Sequence, residues 1–377
     1  MKIATRINSL CHEALRARVQ KFYWKEMRNI AKMHPSLLLP CNHDVEGRHK
    51  QLWRRLGMNG SVQWLRFLST VTGRPDYRYI PSPVYYGVVE RCLNDCNRAS
   101  FEIEDKNLMS LYVPKELRAY CVLRYMRGCF YDDEFNPLSF AMAERVLADY
   151  GGDVVGKIAQ GSSGGHSVEL FRDEKGRKIG KKHELTIRWI VENVTSYVVQ
   201  ERVYQEPIVA SLNSASVNTC RVVTYRLPQR GQACVGSTML RVGAGDDIVD
   251  NISSGGVSVG VREDGSLNAN GLDCQYGVVS STRTGMAFSG VRLPGFADVR
   301  SAAVSIASKV PGYNILGFDF VVRSDGRPCV IEINATSLCC IEAQQSGPMF
   351  GEDTEDVVDW CLEHRSFDQF DHIRTWY

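Results

Sequence analysis

Residues 314–334 read NILGFDFVVRSDGRPCVIEIN. Two β-rich runs flank Asp325-Gly326, a pair that favours a tight turn because glycine tolerates positive φ. With those two residues as the loop, Ser324 faces Arg327, Arg323 faces Pro328 and Asp319 faces Glu332. Side chains alternate faces along a strand. One face then holds Phe318, Phe320, Val322, Cys329, Ile331 and Ile333. The other holds Asp319 opposite Glu332, with Asn334 on the diagonal. Like charges directly opposed in a sheet repel, so a positive charge is expected between them. Asp319, Glu332 and Asn334 are oxygen donors of the kind that hold Mg²⁺. The competing reading is a solvated hairpin face whose acids are neutralised by Arg323 and Arg327.

The rest of the chain sets the context. Its 377 residues suffice for two or three domains, and 44% hydrophobic with 23% charged residues is ordinary for a globular protein. A net charge of +2 gives no argument for a nucleic-acid partner. There is no transmembrane-length apolar run and no signal-peptide core, and thirteen scattered cysteines read as reduced thiols, so a cytoplasmic protein is expected.

Residues 1–104 read as mainly helical. Leu15, Val19, Phe22, Tyr23, Met27 and Ile30 recur at helical spacing, with Arg16, Arg18, Lys21, Lys25, Arg28 and Lys32 on the remaining surface. Such a helix either lies on a membrane surface or, more commonly, packs on a domain with its charged face in water. Residues 45–72 read as helix, 77–89 as irregular or strand-like, and 105–117 as helix.

DVVGKI (153–158), AQGSSGGH (159–166) and SVELF (167–171) form a strand, a glycine- and serine-rich loop and a returning strand. Gly161, Gly164 and Gly165 let backbone N–H groups converge, and Ser162 and Ser163 add hydroxyl donors, which suits phosphate oxygens. Lys157 precedes the loop. A flexible hairpin turn fits that stretch equally well. YVVQERV (197–203) is a strand whose end offers main-chain groups to an adenine ring, with Gln200 and Glu201 as side-chain contacts, or else an edge strand with solvent-facing polar residues. Arg221 lies inside the strand 217–227, where a charge is costly unless it meets an anion. It serves either a structural salt bridge or a site.

In this order the motifs resemble the ATP-grasp superfamily over about residues 105–340. The resemblance implies an α+β fold of two lobes sandwiching ATP, the smaller over 105–205 and the larger, with the Mg²⁺ site, over 206–377. It implies that Lys106 of the Asp-Lys pair and Lys157 contact ATP phosphates, that 161–165 covers them, and that QERV (200–203), Val203 included, reads adenine. Asp319, Glu332 and Asn334 would hold Mg²⁺. DYRYIPSPVYY, SVNTCRVVTY, DNISSGG and GFDFVV…VIEIN resemble the sugar-transfer associated group more closely.

There are departures. The βαβ-rich first domain of many ATP-grasp ligases is not evident. The arginine that several of them place two residues before the metal-binding Asp is Gly317 here, so Arg221 takes that role as candidate. Glu206 is the candidate ribose-binding acid. The implied activity is ATP-dependent ligation of a small carboxylate to an amine through an acyl phosphate. A kinase on the same scaffold and a non-catalytic nucleotide-binding protein are the alternatives.

Overall fold

The computed structural model describes residues 2–58, 60–94, 100–160, 167–245, 248, 250, 252–336 and 338–364. The expected phosphate loop, Gly161, Ser162, Ser163, Gly164 and Gly165, lies outside the described residues.

Two mainly antiparallel sheets organise the chain. The first contains β1 (Cys121–Met126), β2 (Cys129–Tyr131), β3 (Pro137–Leu138), β4 (Val154–Ile158), β5 (Val168–Glu174), β6 (Arg177–Ile179), β7 (Glu184–Leu185) and β8 (Ser196–Glu201), in the order β3-β2-β1-β8-β4-β5-β6-β7. The helices Phe140–Asp149 and Ile187–Asn193 pack on it through Ala143, Leu147, Ile187 and Ile190. The second contains β9 (Thr219–Arg226), β10 (Ala233–Val242), β11 (Val257–Val261), β12 (Leu267–Asp273), β13 (Val278–Val279), β14 (Ile315–Val322) and β15 (Pro328–Asn334), in the order β13-β12-β11-β10-β9-β14-β15. The helix Phe296–Ala307 fills one face with Val299, Ala303 and Ile306 against Val222, Phe318 and Phe320.

Alternation divides the other face of the second sheet by position. At one end Val223, Tyr225 and Ile315 are buried beneath the N-terminal helices, whose Met27, Trp53, Trp64, Phe67 and Tyr85 share that core. At the other end the same face presents Arg221 and Asp319. The N-terminal region is thus helical, as its sequence predicts, and covers the sheet face next to the charged residues.

The local expectations need three corrections. Residues 45–72 form two helices, His43–Arg54 and Gln63–Thr72, separated where Gly57 and Gly60 take φ of 93° and 67°. Residues 82–93 are helical, with a π turn at Tyr85–Val89. Pro81 is the N-cap there and Pro83 lies in the first turn, positions where the missing N–H costs nothing. Between 105 and 117 only the 3₁₀ turns Met109–Leu111 and Lys115–Leu117 form. Asp105 draws the Asn107 N–H into a side-chain turn at 2.8 Å, and Pro114 interrupts the rest.

Candidate active site

The hairpin β14–β15 pairs Asp319 with Glu332, as expected, but by a different route. The Arg323 N–H donates to the Arg327 carbonyl at 2.8 Å, and the Gly326 N–H to the Arg323 carbonyl at 2.8 Å. The loop is therefore Ser324-Asp325-Gly326, with Gly326 at φ 82°. Such three-residue loops end in a left-handed residue. Val322 consequently faces Pro328, and Val321 faces Cys329. A β-bulge then skips Ile331 and restores the Asp319–Glu332 register. The extra residue moves Cys329 and Ile331 off the expected apolar face. They join Val321, Val203 and Ala119 in a small cluster on the charged side.

The charge between the acids comes from the protein. Arg221 Nε and Nη2 donate to the two Asp319 oxygens at 2.7 and 2.8 Å, and Arg241 Nη2 donates to Oδ2 at 2.6 Å. Lys106 Nζ lies 2.8 Å from Glu332 Oε1. Arg221 thus makes the salt bridge that its place in a strand demanded, and the opposed acids need no metal ion to be tolerated. Nor is this a solvated face: Asp319 is 0% exposed. Arg323 pairs with Glu201 at 3.0 Å and Arg327 with Asp325, so neither neutralises Asp319 or Glu332. Burial opposes ionisation of Asp319, but Arg221 and Arg241 outweigh it and hold the carboxyl well below the usual range.

A cavity of about 640 Å³ opens between the sheets. Lys157 on β4 and Gln200 and Glu201 at the end of β8 form part of one wall, while Arg221, Asp319, Glu332 and Asn334 form part of the other. Lys106 and Val203 also line it. β8 is an interior strand between β1 and β4, not an edge. Glu201 is already committed: its Oε1 accepts from the Tyr120 N–H at 3.1 Å and from Arg323 at 3.0 Å. Glu206 falls outside the lining. Its Oε2 caps the helix Pro207–Leu212, accepting the N–H groups of Ile208 and Val209 at 2.8 and 3.2 Å, and the neighbouring Gln205 faces the cavity instead. At Gly317 a Cβ would lie 2.8 Å from Leu338 Cδ2, so any side chain there would have to displace the end of Leu338.

Lys157 is the contrasting cation. Its residue is 8% exposed, and among the described residues its ammonium has no hydrogen-bond or ion-pair partner. Burial and the nearby Lys106 push its pKa down to about 8, against the smaller opposing pull of Glu332. Such a group gains from an incoming anion.

The donor set suits a hard divalent ion. The Asn334 side-chain nitrogen is buried with no partner among the described residues. That end of the amide is open to a ligand, and the two ends are interchangeable by rotation. Asp319 Oδ1 accepts one hydrogen bond and keeps a second lone pair. Among the described residues no three His, Cys, Asp or Glu are grouped to hold an ion, so an amide oxygen would complete the set.

Sequence reasoning missed Arg241, Asp250, Glu104 and Cys339, all of which line the cavity. Arg241 carries the signal that betrayed Arg221, a charge inside a strand. Asp250 opens the DNISSGG loop; it accepts the Thr219 N–H at 2.8 Å and also the Thr219 hydroxyl. Glu104 precedes the Asp-Lys pair and accepts the N–H groups of Ala335 and Thr336 at 2.8 and 3.0 Å, just beyond the metal-donor strand.

Two sheets closing on a cavity lined by lysines and a carboxylate hairpin define an ATP-grasp protein. The chain belongs to the sugar-transfer associated ATP-grasp family, whose model matches residues 136–347. No curated protein matches it by sequence. Among solved structures it is similar to D-alanine–D-alanine ligase from Bacillus anthracis, at 14% identity and TM-score 0.39, covering 73% of this chain and 71% of that one. VanG D-Ala:D-Ser ligase from Enterococcus faecalis matches at 12% identity and TM-score 0.39, covering 80% and 67%. Biotin carboxylase from Campylobacter jejuni, solved with β,γ-ATP, matches at 11% identity and TM-score 0.41 over 70% of this chain. The chain spans only 47% of that carboxylase. Among the described residues no helix is long and apolar enough to cross a membrane.

Proposed function

We propose that the chain is an ATP-dependent ligase that joins a small carboxylate to an amine through an acyl phosphate. The observation that carries this reading is the pairing of walls. A buried ammonium without an anionic partner, Lys157, shares a cavity with the Asp319–Glu332–Asn334 oxygen donors. A polyanion brought in with its metal ion would give Lys157 its anion and present the metal to the oxygen donors opposite.

In this reading Lys106 and Lys157 hold the phosphates, and residues 161–165, which connect β4 to β5, cover them. Glu332 and Asn334, backed by Asp319, would hold Mg²⁺, which supplies charge neutralisation at phosphate oxygens. Gln200, Val203 and Ile331 offer the polar and apolar surface for the base. The substrate carboxylate oxygen bonds to the γ-phosphorus as its bond to the bridging oxygen breaks, and ADP leaves. The amine nitrogen then bonds to the acyl carbon, phosphate departs with the electron pair of the C–O bond, and the nitrogen loses a proton. Arg221 Nη1, which makes only a long 3.9 Å contact to the Cys339 sulfur among the described residues, lines this cavity with donor capacity for the developing charge. No protein nucleophile is required.

The test is ATP turnover over paired panels of amino acids, amino sugars and sugar acids, with products read by mass spectrometry. The ligase reading expects ADP and phosphate to appear in step with an amide, and only when acid and amine are both present. A stable phosphorylated product formed without any amine would make the protein a kinase instead.

A further inference from the structure

The first helix, Lys2–Met33, carries eight Lys or Arg residues and two Glu. Its inward face is accounted for. Met27 and Ile30 are buried in the core shared with the second sheet, Trp24 packs edge-on against Trp64 at 4.8 Å, and Tyr23 stacks on Tyr86 at 4.3 Å. Glu26, the acid whose side chain is described, also turns inward, accepting from the Tyr276 hydroxyl at 2.8 Å.

The outward face has no such account. Arg18, Lys21, Lys25, Arg28 and Lys32 are all exposed, and among the described residues none makes an ion pair or hydrogen bond. At helical spacing they fall within an arc of about 80°, along a line of about 21 Å. No carboxylate of the described helix residues lies among them. Phe22, 63% exposed, and Met33, 50% exposed, flank the row on one side. A solvated helix face ordinarily mixes signs, with acids three or four residues from bases; this one does not. The whole chain has a net charge of only +2, so the excess of positive charge on this face is local and is offset by acids elsewhere.

We propose that this face docks the protein on an anionic phospholipid surface. A straight row of unpaired cations matches a plane of headgroup charge. Phe22 and Met33 are placed to enter the boundary between headgroups and acyl chains, as apolar residues beside a basic stripe do at such surfaces. The attachment is peripheral, because the helix's apolar face is spent on the protein's own core. It leaves the cavity between the sheets free, so nucleotide binding and membrane docking are separable. The apolar flank favours lipid over nucleic acid, whose recognition would call for hydrogen-bonding side chains in that position.

The experiment is co-sedimentation of the full chain with vesicles of phosphatidylcholine alone and of phosphatidylcholine with one quarter phosphatidylglycerol. Binding is expected to the second and not the first, and to vanish in 0.5 M salt, where charges are screened. Each cation removed should lower partitioning on the order of fivefold. The triple variant Lys21→Glu, Lys25→Glu, Lys32→Glu should therefore stay in solution, and Phe22→Ser should weaken binding by a smaller factor. An unchanged melting temperature shows that the variants remain folded, since all four positions face solvent. Equal sedimentation with both vesicle types, none with either, or wild-type binding by the triple variant would each overturn the proposal. So would binding to single-stranded DNA or an acidic polypeptide in the absence of vesicle binding.

Discussion

Lys157 on β4 and Arg221 on β9 are both buried cations placed in strands on one cavity, yet they are in opposite electrostatic states. Arg221 is locked to Asp319 through two hydrogen bonds, and Arg241 adds a third to the same carboxylate. The charge on that wall is compensated before any ligand arrives. Lys157 has no ion-pair or hydrogen-bond partner among the described residues, and burial with Lys106 nearby depresses its pKa to about 8. The wall of the second sheet is therefore pre-organised, and the wall of the first sheet is poised for an anion. The charge of Lys157 is left for a ligand, whereas that of Arg221 is spent first on the fold, with Nη1 the part of the guanidinium that remains to donate.

Substitutions can break this contrast. The largest effect is expected at Glu332, which is partly exposed and, among the described residues, ion-paired with Lys106 alone. Glu332→Ala should lower Mg²⁺-dependent ATP turnover by on the order of a thousandfold, roughly 4 kcal/mol, with little change in melting temperature. Turnover near wild type would remove the metal-donor role. Asp319 is a poorer probe, because its loss strands the guanidinium groups of both Arg221 and Arg241.

Arg221→Met should act on the fold, destabilising the protein by about 3–5 kcal/mol because it leaves Asp319 buried and short of partners. Denaturant unfolding measures this, and a loss under 1 kcal/mol would mean that Arg241 suffices. A smaller effect tests the helical layer over the same sheet face. His49 is 0% exposed and its Nδ1 lies 2.9 Å from the Tyr77 carbonyl; burial, outweighing that contact, lowers its pKa to about 4. The unfolded chain takes up its proton near pH 6.5 and the folded one near 4. Stability is thus intact above about 6.5 and falls between 6.5 and 4, by roughly 3 kcal/mol from this group. His49→Gln should flatten that part of the pH–stability curve.

The smallest effect is at Lys157, and it reverses the sign seen at Arg221. Lys157→Met removes a desolvated charge and should leave stability unchanged or slightly raised, while weakening nucleotide affinity by on the order of tenfold. In the wild type the ammonium form predominates below about pH 8 and the neutral amine above it. Affinity for ATP should decline as pH rises through that value, and the decline should be absent in the variant. Calorimetric titration across pH 7–9 measures both.

Much of this was legible in residue order. The Asp319–Glu332 opposition, the strand bearing Lys157, the strand bearing Arg221 and the helical N-terminus follow from local periodicity and turn residues, which act between neighbours in the chain. The hairpin was reached through two departures that cancel. A loop one residue longer than Asp325-Gly326 allows shifts the register, and the bulge at Ile331 shifts it back, so the acids meet while Cys329 and Ile331 change faces. Neither departure has a signature in composition.

Residues 82–93 taught the reverse lesson. Two prolines that look like breakers in a Tyr/Val-rich run instead open a helix, once Tyr85 and Val89 find a core to enter. By itself the amino-acid sequence determined which residue types are present and what each strand carries on alternating sides, since those depend on short-range geometry. Only the tertiary structure decided which charges cancel. Arg241 lies 78 residues from Asp319 and Lys106 lies 226 residues from Glu332, and a Coulomb energy depends on distance in space and on exclusion of water, neither of which is written along the chain.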